Sequence, residues 1–362
     1  TDLDDFIKHT LSEKYNGESP PKLVLFSPIA HEDLHDPSLP DGKENNARLE
    51  RLTAVMADAA EAHKVRFIDL FHPTRKLYAE VDEPLTVNGI HLTPEGNRRL
   101  AEIVDRALFP GDEPLDASKL ETLRRAVVDK SFYWYNRYRT VDGYSIFGGR
   151  ADLAFTNGQT NRVVAQREME VLDVMTANRD KRIWALAQGK DLQVDDSNTP
   201  PFIPVITNKP GAGPNGEHLF LSGEEAIGKM TIGKGLKINL FASEEKFPDL
   251  ASPVQMTFDA RGRLWVAVWP TYPHWKPKEP MNDKILIFED VDGDGKADKQ
   301  ITFADGLHCP TGFEIVPQGV LVAQAPNVVL LKDVDGDDEA DVKTIVLSGV
   351  DSADTHHTSN SF

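Results

Sequence analysis

The sequence predicts a multidomain chain: a partial α/β domain built on a parallel sheet, a helical extension, and then all-β repeats of propeller type, themselves incomplete. Three observations predict it. Strand-length apolar runs alternate with helix-period segments over residues 1–110. Helical periodicity without strands follows over 111–187, and beyond residue 223 the pattern switches to period two around two acidic loops that start 43 residues apart.

In the first region, residues 22–27 (KLVLFS) form a short apolar run ended by Pro28, as a buried parallel strand requires. Residues 46–63 place Leu49, Leu52, Val55, Met56 and Ala59 at the spacing of one helical face. Residues 65–71 (VRFIDLF) read as a second buried strand. Thr93-Pro94-Glu95 then opens a helix, Thr as cap and Pro in the first helical position, running to about Leu108 through Leu100, Ile103 and Val104.

The extension carries two helical stretches, 120–138 and 162–175. In the second, Val164, Val171, Leu172 and Met175 share a side whose intervening turn is occupied by Glu168. Between them, 141–150 (VDGYSIFGGR) is Gly-punctuated and loop-like. Residues 188–223 are dominated by Asp, Asn, Pro and Gly and read as a linker, because that composition buries no core.

Over 224–362 the hairpins follow one another. Strands 254–258 and 263–268 flank the turn Asp259-Ala260-Arg261-Gly262; 285–289 and 300–303 flank the first acidic loop; 313–316 and 320–323 flank Pro317-Gln318-Gly319; 328–332 and 342–347 flank the second acidic loop. Four strands per 43-residue period is the arrangement of propeller blades.

The first loop offers Asp290, Asp292, Asp294 and Asp298 at positions 1, 3, 5 and 9, with the backbone carbonyl of Lys296 at 7; the second offers Asp333, Asp335, Asp337 and Asp341, with that of Glu339 at 7. Oxygens so spaced are how a short loop surrounds calcium. Ile301 and Thr344 stand where an EF-hand needs Glu, and strands flank both loops, so these are hairpin relatives of that site with a structural role. A polar Asp/Gly turn without metal is the alternative. It weighs more for the second loop, where Asp338 replaces the Gly at position 6.

Charge narrows the partners. The net charge of −18 argues against nucleic acid, which demands a basic face. Residues 281–362 hold 16 Asp and Glu against 5 Lys, a balance of −11, so acid is concentrated where the loops lie. Cys309 is the only cysteine, which excludes an internal disulfide, a Cys-rich zinc site and a haem-attachment motif, and it reads as a small buried hydrophobe. No stretch is apolar enough for a membrane span. Oligomeric state is not encoded in any of these features.

Residues 235–362 resemble the start of the propeller module of large multidomain proteins from planctomycetes and relatives, often labelled membrane-bound dehydrogenase or haem-binding. The matching residues are Leu240-Phe241-Ala242-Ser243-Glu244, residues 258–266 (FDARGRLWV), both Asp-Gly-Asp loops, Pro310-Thr311-Gly312 and Asp354-Thr355-His356-His357. Such propellers are similar to quinoprotein glucose/sorbosone dehydrogenases. The resemblance implies His357, beside His356, as the base that takes a sugar hydroxyl proton, pyrroloquinoline quinone as cofactor of the complete propeller, and haem only in a further downstream module.

Residues 88–96 (NGIHLTPEG), with Phe26-Ser27-Pro28 and Asp69-Leu70-Phe71, resemble the C-terminal half of an SGNH (GDSL-type) hydrolase. A His at a loop-to-helix junction on the rim of a parallel sheet is where such folds keep a general base. By that match His91 is the base. Asn88 stands three residues before it where the family has Asp, which implies a Ser-His dyad oriented by a neutral amide. The sequence holds no Gly-Asp-Ser and no Gly-x-Asn-Asp, so nucleophile and oxyanion donors are expected upstream of Thr1. His31-Glu32 reads as a solvated loop, a contribution to a substrate pocket being the alternative, and the run Phe132-Tyr133-Trp134-Tyr135 with Tyr138 as helix packing, a sugar platform being the alternative.

The resemblances together imply a secreted or periplasmic (cell-envelope) protein: an ester hydrolase module acting on an ester or carbohydrate substrate, fused to a dehydrogenase-type propeller. A sugar-oxidising protein with an accessory hydrolase half, or a calcium-stiffened scaffold without catalysis, are the alternatives.

Overall fold

β1 (Val24–Phe26) and β2 (Arg66–Ile68) pair in parallel, Val24 against Arg66 and Phe26 against Ile68, and form the sheet of the first unit. The computed structural model describes residues 2–111, 116–139, 142–154, 158–205, 211–350 and 354. It divides into two compact units, Thr1–Pro114 and Leu115–Phe362.

The first unit starts with α1 (Asp2–Ser12), for which the sequence reading has no counterpart; its Ile7 is fully buried against Leu25 and Ala60. α2 (Lys43–His63) ends at Lys64, whose left-handed backbone turns its N–H onto the Ala60 and Glu61 carbonyls. The expected apolar face is corrected here. Leu52 and Val55 are exposed; Leu49, Met56 and Ala59 are half-buried, Ala59 against the core, while the fully buried positions are Thr53 and Ala60, two turns apart. The small Ala60 lets the helix close on Ile7 and Leu25.

The second strand is shorter than its apolar run. Phe71 does not extend β2 but begins α3 (Phe71–Glu80), because Ser27 Oγ accepts from the Leu70 and Phe71 amides at 2.7 and 3.0 Å and so caps a helix it does not belong to. Pro73 fits within that first turn, where no intrahelical donor is needed. α4 (Pro94–Leu108) starts as expected, Thr93 Oγ1 accepting from the Gly96 amide at 3.0 Å.

In the second unit, α5 (Ala117–Tyr138) lies against α7 (Asn161–Ala187), with the single turn α6 (Gly143–Ile146) inside the stretch expected to be loop. α7 continues well beyond Met175. Asn178 and Arg179 replace apolar residues on its buried side, and the segment expected to be a linker satisfies them. Asn178 donates to Asp195 O and to Asn198 Oδ1, both at 2.8 Å, and Arg179 pairs with Asp196 at 2.9 Å while lying 3.6 Å from the Tyr133 ring centroid. Residues 195–198 are therefore tied to the helix.

After the short α8 (Gly223–Ile227), closed by a Ser222–Glu225 capping box, come two antiparallel meanders. β3 (Pro253–Phe258), β4 (Leu264–Val268), β5 (Asp283–Glu289) and β6 (Lys299–Leu307) form one sheet in that order. β7 (Pro310–Val316), β8 (Gly319–Gln324), β9 (Asn327–Lys332) and β10 (Val342–Ser348) form the other. Neither closes on itself. All eight strands fall where the alternation places them. Trp265, Ile285, Ile287 and Phe303 of the first sheet bury against Phe313, Val322, Val329 and Leu331 of the second; Val266, Leu286 and Phe288 bury on the opposite face with Phe247 and Ala297. β4 and β5 are thus covered on both sides. Cys309, between the sheets, is buried, and its amide donates to Asp283 Oδ2 at 2.7 Å. No helix among the described residues is long and apolar enough to cross a membrane.

Candidate functional site

β2 hands the chain to α3, and residues 85–93 then run as a tight loop into α4. Thr93 N donates to Leu85 O and Val87 N to His91 O, both at 2.8 Å, so the loop is drawn closed at its neck. Within it, Asn88 Oδ1 accepts from the Ile90 amide at 3.2 Å and the His91 amide at 3.0 Å. Two N–H donors identify that atom as the amide oxygen. His91 Nδ1 lies 3.1 Å from the same oxygen and must be the protonated nitrogen, which leaves Nε2 as the lone-pair nitrogen of an exposed imidazole. The structure thus brings Asn88 and His91, two of the residues singled out in the sequence, into contact.

His31 and Glu32 are not a solvated loop. Both are buried, at 7% and 5% exposure, and both face this loop. Glu32 accepts from the Leu85 and Thr86 amides and from Thr86 Oγ1 at 2.6 Å. His31 Nδ1 meets the Asn45 amide nitrogen at 3.1 Å, and its Nε2 has no hydrogen-bond partner among the described residues. Polar residues after a proline read as surface; only the loop's orphan amides, distant in sequence, explain their burial. Asp69, by contrast, binds locally, its Oδ2 to His72 Nδ1 at 2.6 Å.

The two acidic loops connect β5 to β6 and β9 to β10, the third and fourth strands of each sheet. They share one bonding scheme. Asp290 and Asp333 accept from the amides three residues on, Gly293 at 2.7 Å and Gly336 at 2.6 Å, and five residues on, Gly295 at 2.8 Å and Asp338 at 2.9 Å. Asp298 and Asp341 close the loops onto the Val291 and Val334 amides at 2.8 and 2.7 Å. Carboxylate oxygens of Asp290, Asp292 and Asp294, and of Asp333, Asp335 and Asp341, gather within 4.8 Å of one another. The charges of Asp337 and Asp341, then burial and Asp333, raise the Asp335 pKa, the repulsion a divalent cation relieves. The donor set, all oxygen on a turn of backbone amides, fits calcium. Lys296 and Glu339 stand at position 7 of each loop, where a backbone carbonyl is the oxygen on offer. Asp338 fills its position with φ 68, where the first loop has Gly295 at φ 85, so the substitution is accommodated in the left-handed region that Asp tolerates.

A third cluster escapes sequence reading. Asp142, Glu168, His274 and His308 line a cavity of about 30 Å³ walled by Trp275, Met169 and Leu172. His274 Nε2 lies 2.8 Å from Glu168 Oε2 and Nδ1 4.0 Å from Asp142 Oδ2. Burial pulls the imidazole down, but the hydrogen bond and charge of Glu168 and the charge of Asp142 outweigh it and leave the pKa raised. Burial lowers His308 to about 4, and its Nε2 accepts from the Trp275 amide at 3.3 Å. The space holds about one water molecule. Glu168 interrupting an apolar face was the one visible signal.

His356 and His357 lie outside the described residues. The aromatic run divides: Phe132 meets Trp275 edge-on and Tyr133 lies under Arg179, whereas Trp134, Tyr135 and Tyr138 are exposed.

Residues 222–362 match the profile of a domain of unknown function, DUF7133. That match begins at the Ser222 cap of α8 and spans both sheets. No curated protein and no solved structure matches the chain.

Proposed function

We propose that this chain carries the base-bearing part of an SGNH-type ester hydrolase, acting on acylated carbohydrate, joined to the opening blades of a calcium-stiffened, quinoprotein-like propeller, in a secreted or periplasmic protein. One observation supports the hydrolase reading above the rest. The Asn88 amide oxygen, held by two backbone amides, fixes His91 as the Nδ1–H tautomer with Nε2 open. That nitrogen is the one a base uses to take a proton from a hydroxyl nucleophile. A neutral amide orients the ring but adds no charge to stabilise the imidazolium, which fits a dyad. Acetyl release from acetylated sugars by the complete protein tests this reading; undiminished turnover in His91→Ala refutes it.

The sheets support a second, redox reading. Two four-stranded meanders with acidic loops at the same turn are the arrangement that the resemblance to quinoprotein dehydrogenases leads one to expect. Pyrroloquinoline quinone, when bound to a complete propeller, supplies hydride acceptance from a sugar carbon. Sugar-dependent dye reduction by the complete protein with added quinone separates this activity from ester hydrolysis. Silence in both assays, with calcium still raising the melting temperature, leaves a scaffold.

A further inference from the structure

The His91 loop has little regular structure of its own. A single antiparallel bridge, Thr86 with Leu92, spans it. Most of its amides are met within the loop, but those of Leu85 and Thr86 are satisfied from outside, by Glu32. The carboxylate accepts from Leu85 N at 3.0 Å, Thr86 N at 2.7 Å and Thr86 Oγ1 at 2.6 Å. The Glu32 amide donates to Gly89 O at 2.9 Å, and Thr86 Oγ1 in turn accepts from Gly89 N at 2.9 Å. One residue therefore fixes both the start of the loop and the residue immediately after Asn88. Among the described residues, backbone and hydroxyl donors are what meet its charge. Burial, with the Glu32 charge, pushes the nearby Tyr78 hydroxyl up to about 12.

All three donors reach Oε2, and the Leu85 amide also reaches Oε1 at 3.0 Å, so a Gln that keeps its carbonyl at Oε2 loses the charge and turns its NH₂ onto the Leu85 N–H. We propose that Glu32 is the positioning residue of the His91 loop: its charged carboxylate sets the backbone at Leu85, Thr86 and Gly89, and through that backbone the Asn88–His91 contact and the His91 tautomer. The inference deepens the reading of His91 as a base, and rests on it for its catalytic meaning.

The test uses the whole chain and nitrogen-detected NMR of its imidazoles, with amide hydrogen exchange alongside. In the wild-type protein His91 is expected to show Nδ1 protonated and Nε2 bare. In Glu32→Gln the exchange protection of the Leu85 and Thr86 amides is expected to fall about tenfold or more, the loss of charge-assisted hydrogen bonds. The Nε2–H form of His91 appears with it, while the amides of α4 stay protected. Thr86→Val, which removes one donor to the carboxylate and one acceptor for Gly89, shifts the tautomer in the same direction by less. An unchanged His91 spectrum in Glu32→Gln overturns the proposal; if that variant fails to fold, an unchanged spectrum in Thr86→Val does so. These spectra are independent of turnover, so they separate a wrong anchor from a wrong base, which His91→Ala in the ester assay reveals.

Discussion

Arg263, at the start of the first sheet's second strand, holds Asp338 of the second acidic loop by two parallel hydrogen bonds, Nη1 to Oδ2 at 2.8 Å and Nη2 to Oδ1 at 3.0 Å. The same guanidinium reaches Asp259 at 2.8 Å and Glu289 at 3.1 Å, and its side chain is only 11% exposed. Three carboxylates around one cation lose their common partner if it is removed. Arg263→Leu is expected to lower the unfolding free energy of the second unit by about 3–5 kcal/mol. Asp338→Gly, which keeps the left-handed turn, should cost about 1–3 kcal/mol. Urea denaturation followed by tryptophan fluorescence measures both. The hydrogen bonds from Arg263 hold the Asp338 carboxyl below its ordinary range, so its contribution is present above the unfolded carboxylate value and is lost as pH falls through the folded one. Asp338→Gly should flatten that acid limb.

The proposed calcium loops lie in the same unit. If they bind the ion, the melting temperature rises with calcium and falls on chelation, by an amount equivalent to about 2.7 kcal/mol at a hundredfold excess over Kd. Asp335→Asn discriminates between cation site and bare turn. Without calcium the raised pKa means that the ionised carboxylate is unfavourable in the fold, so stability is greater below the folded pKa and is lost as pH rises through it. Removing that charge should stabilise the metal-free protein and weaken calcium binding roughly 10- to 100-fold, the range typical of even an outer-sphere partner. Calorimetric titration showing equal affinity in both proteins would contradict the site.

What was legible in the sequence divides by the range of the interaction that decides it. Val266, Leu286, Val322 and Val329 announce their strands because alternation is local, and the Asp-Gly loops announce their turns for the same reason. The capped start of α4 is equally local. By contrast, Phe71 becomes helical through the hydroxyl of Ser27, distant in sequence, and α7 continues past Met175 because Asp195, Asp196 and Asn198 return to satisfy Asn178 and Arg179. At the candidate site, the His91–Asn88 pair was picked out by the resemblance of residues 88–96 to the SGNH pattern. Glu32 was not, since a buried carboxylate betrays itself only through the amides it serves.

The His274–Glu168 pair joins α7 to the β4–β5 connection, and His308 sits in the same cavity, so the stability of the second unit should depend on pH in both directions. His308, lowered to about 4, is neutral in the fold while its unfolded form takes up a proton below about 6.5; stability therefore climbs with pH between those values. His274, raised, contributes stability that is complete below about 6.5 and is lost as pH rises through its folded pKa. The two limbs meet in a maximum near pH 6.5. In Glu168→Gln the alkaline limb should flatten and the acid limb remain. Unfolding curves at pH 5, 6.5 and 8.5 show whether it does; an alkaline limb unchanged in the variant removes His274 as its cause.

Gly89 offers a direct measure of how closely the His91 loop is fitted to its support. It adopts φ 87, and a Cβ there would overlap His31, Nε2 foremost, and stand 2.9 Å from the Glu32 carbonyl oxygen. Gly17, also in the first unit, has φ 77 with nothing within 4 Å of the same added atom. Both substitutions to Ala carry the cost of a left-handed backbone, about 1–2 kcal/mol. Only Gly89→Ala adds the cost of forcing a ring out of a filled space, typically about 1–3 kcal/mol. The difference between the two variants in thermal or urea unfolding of the first unit thus measures how tightly the loop is fitted against His31 and the Glu32 backbone. A gap near zero would mean that both give way freely and that the loop is not held from this side.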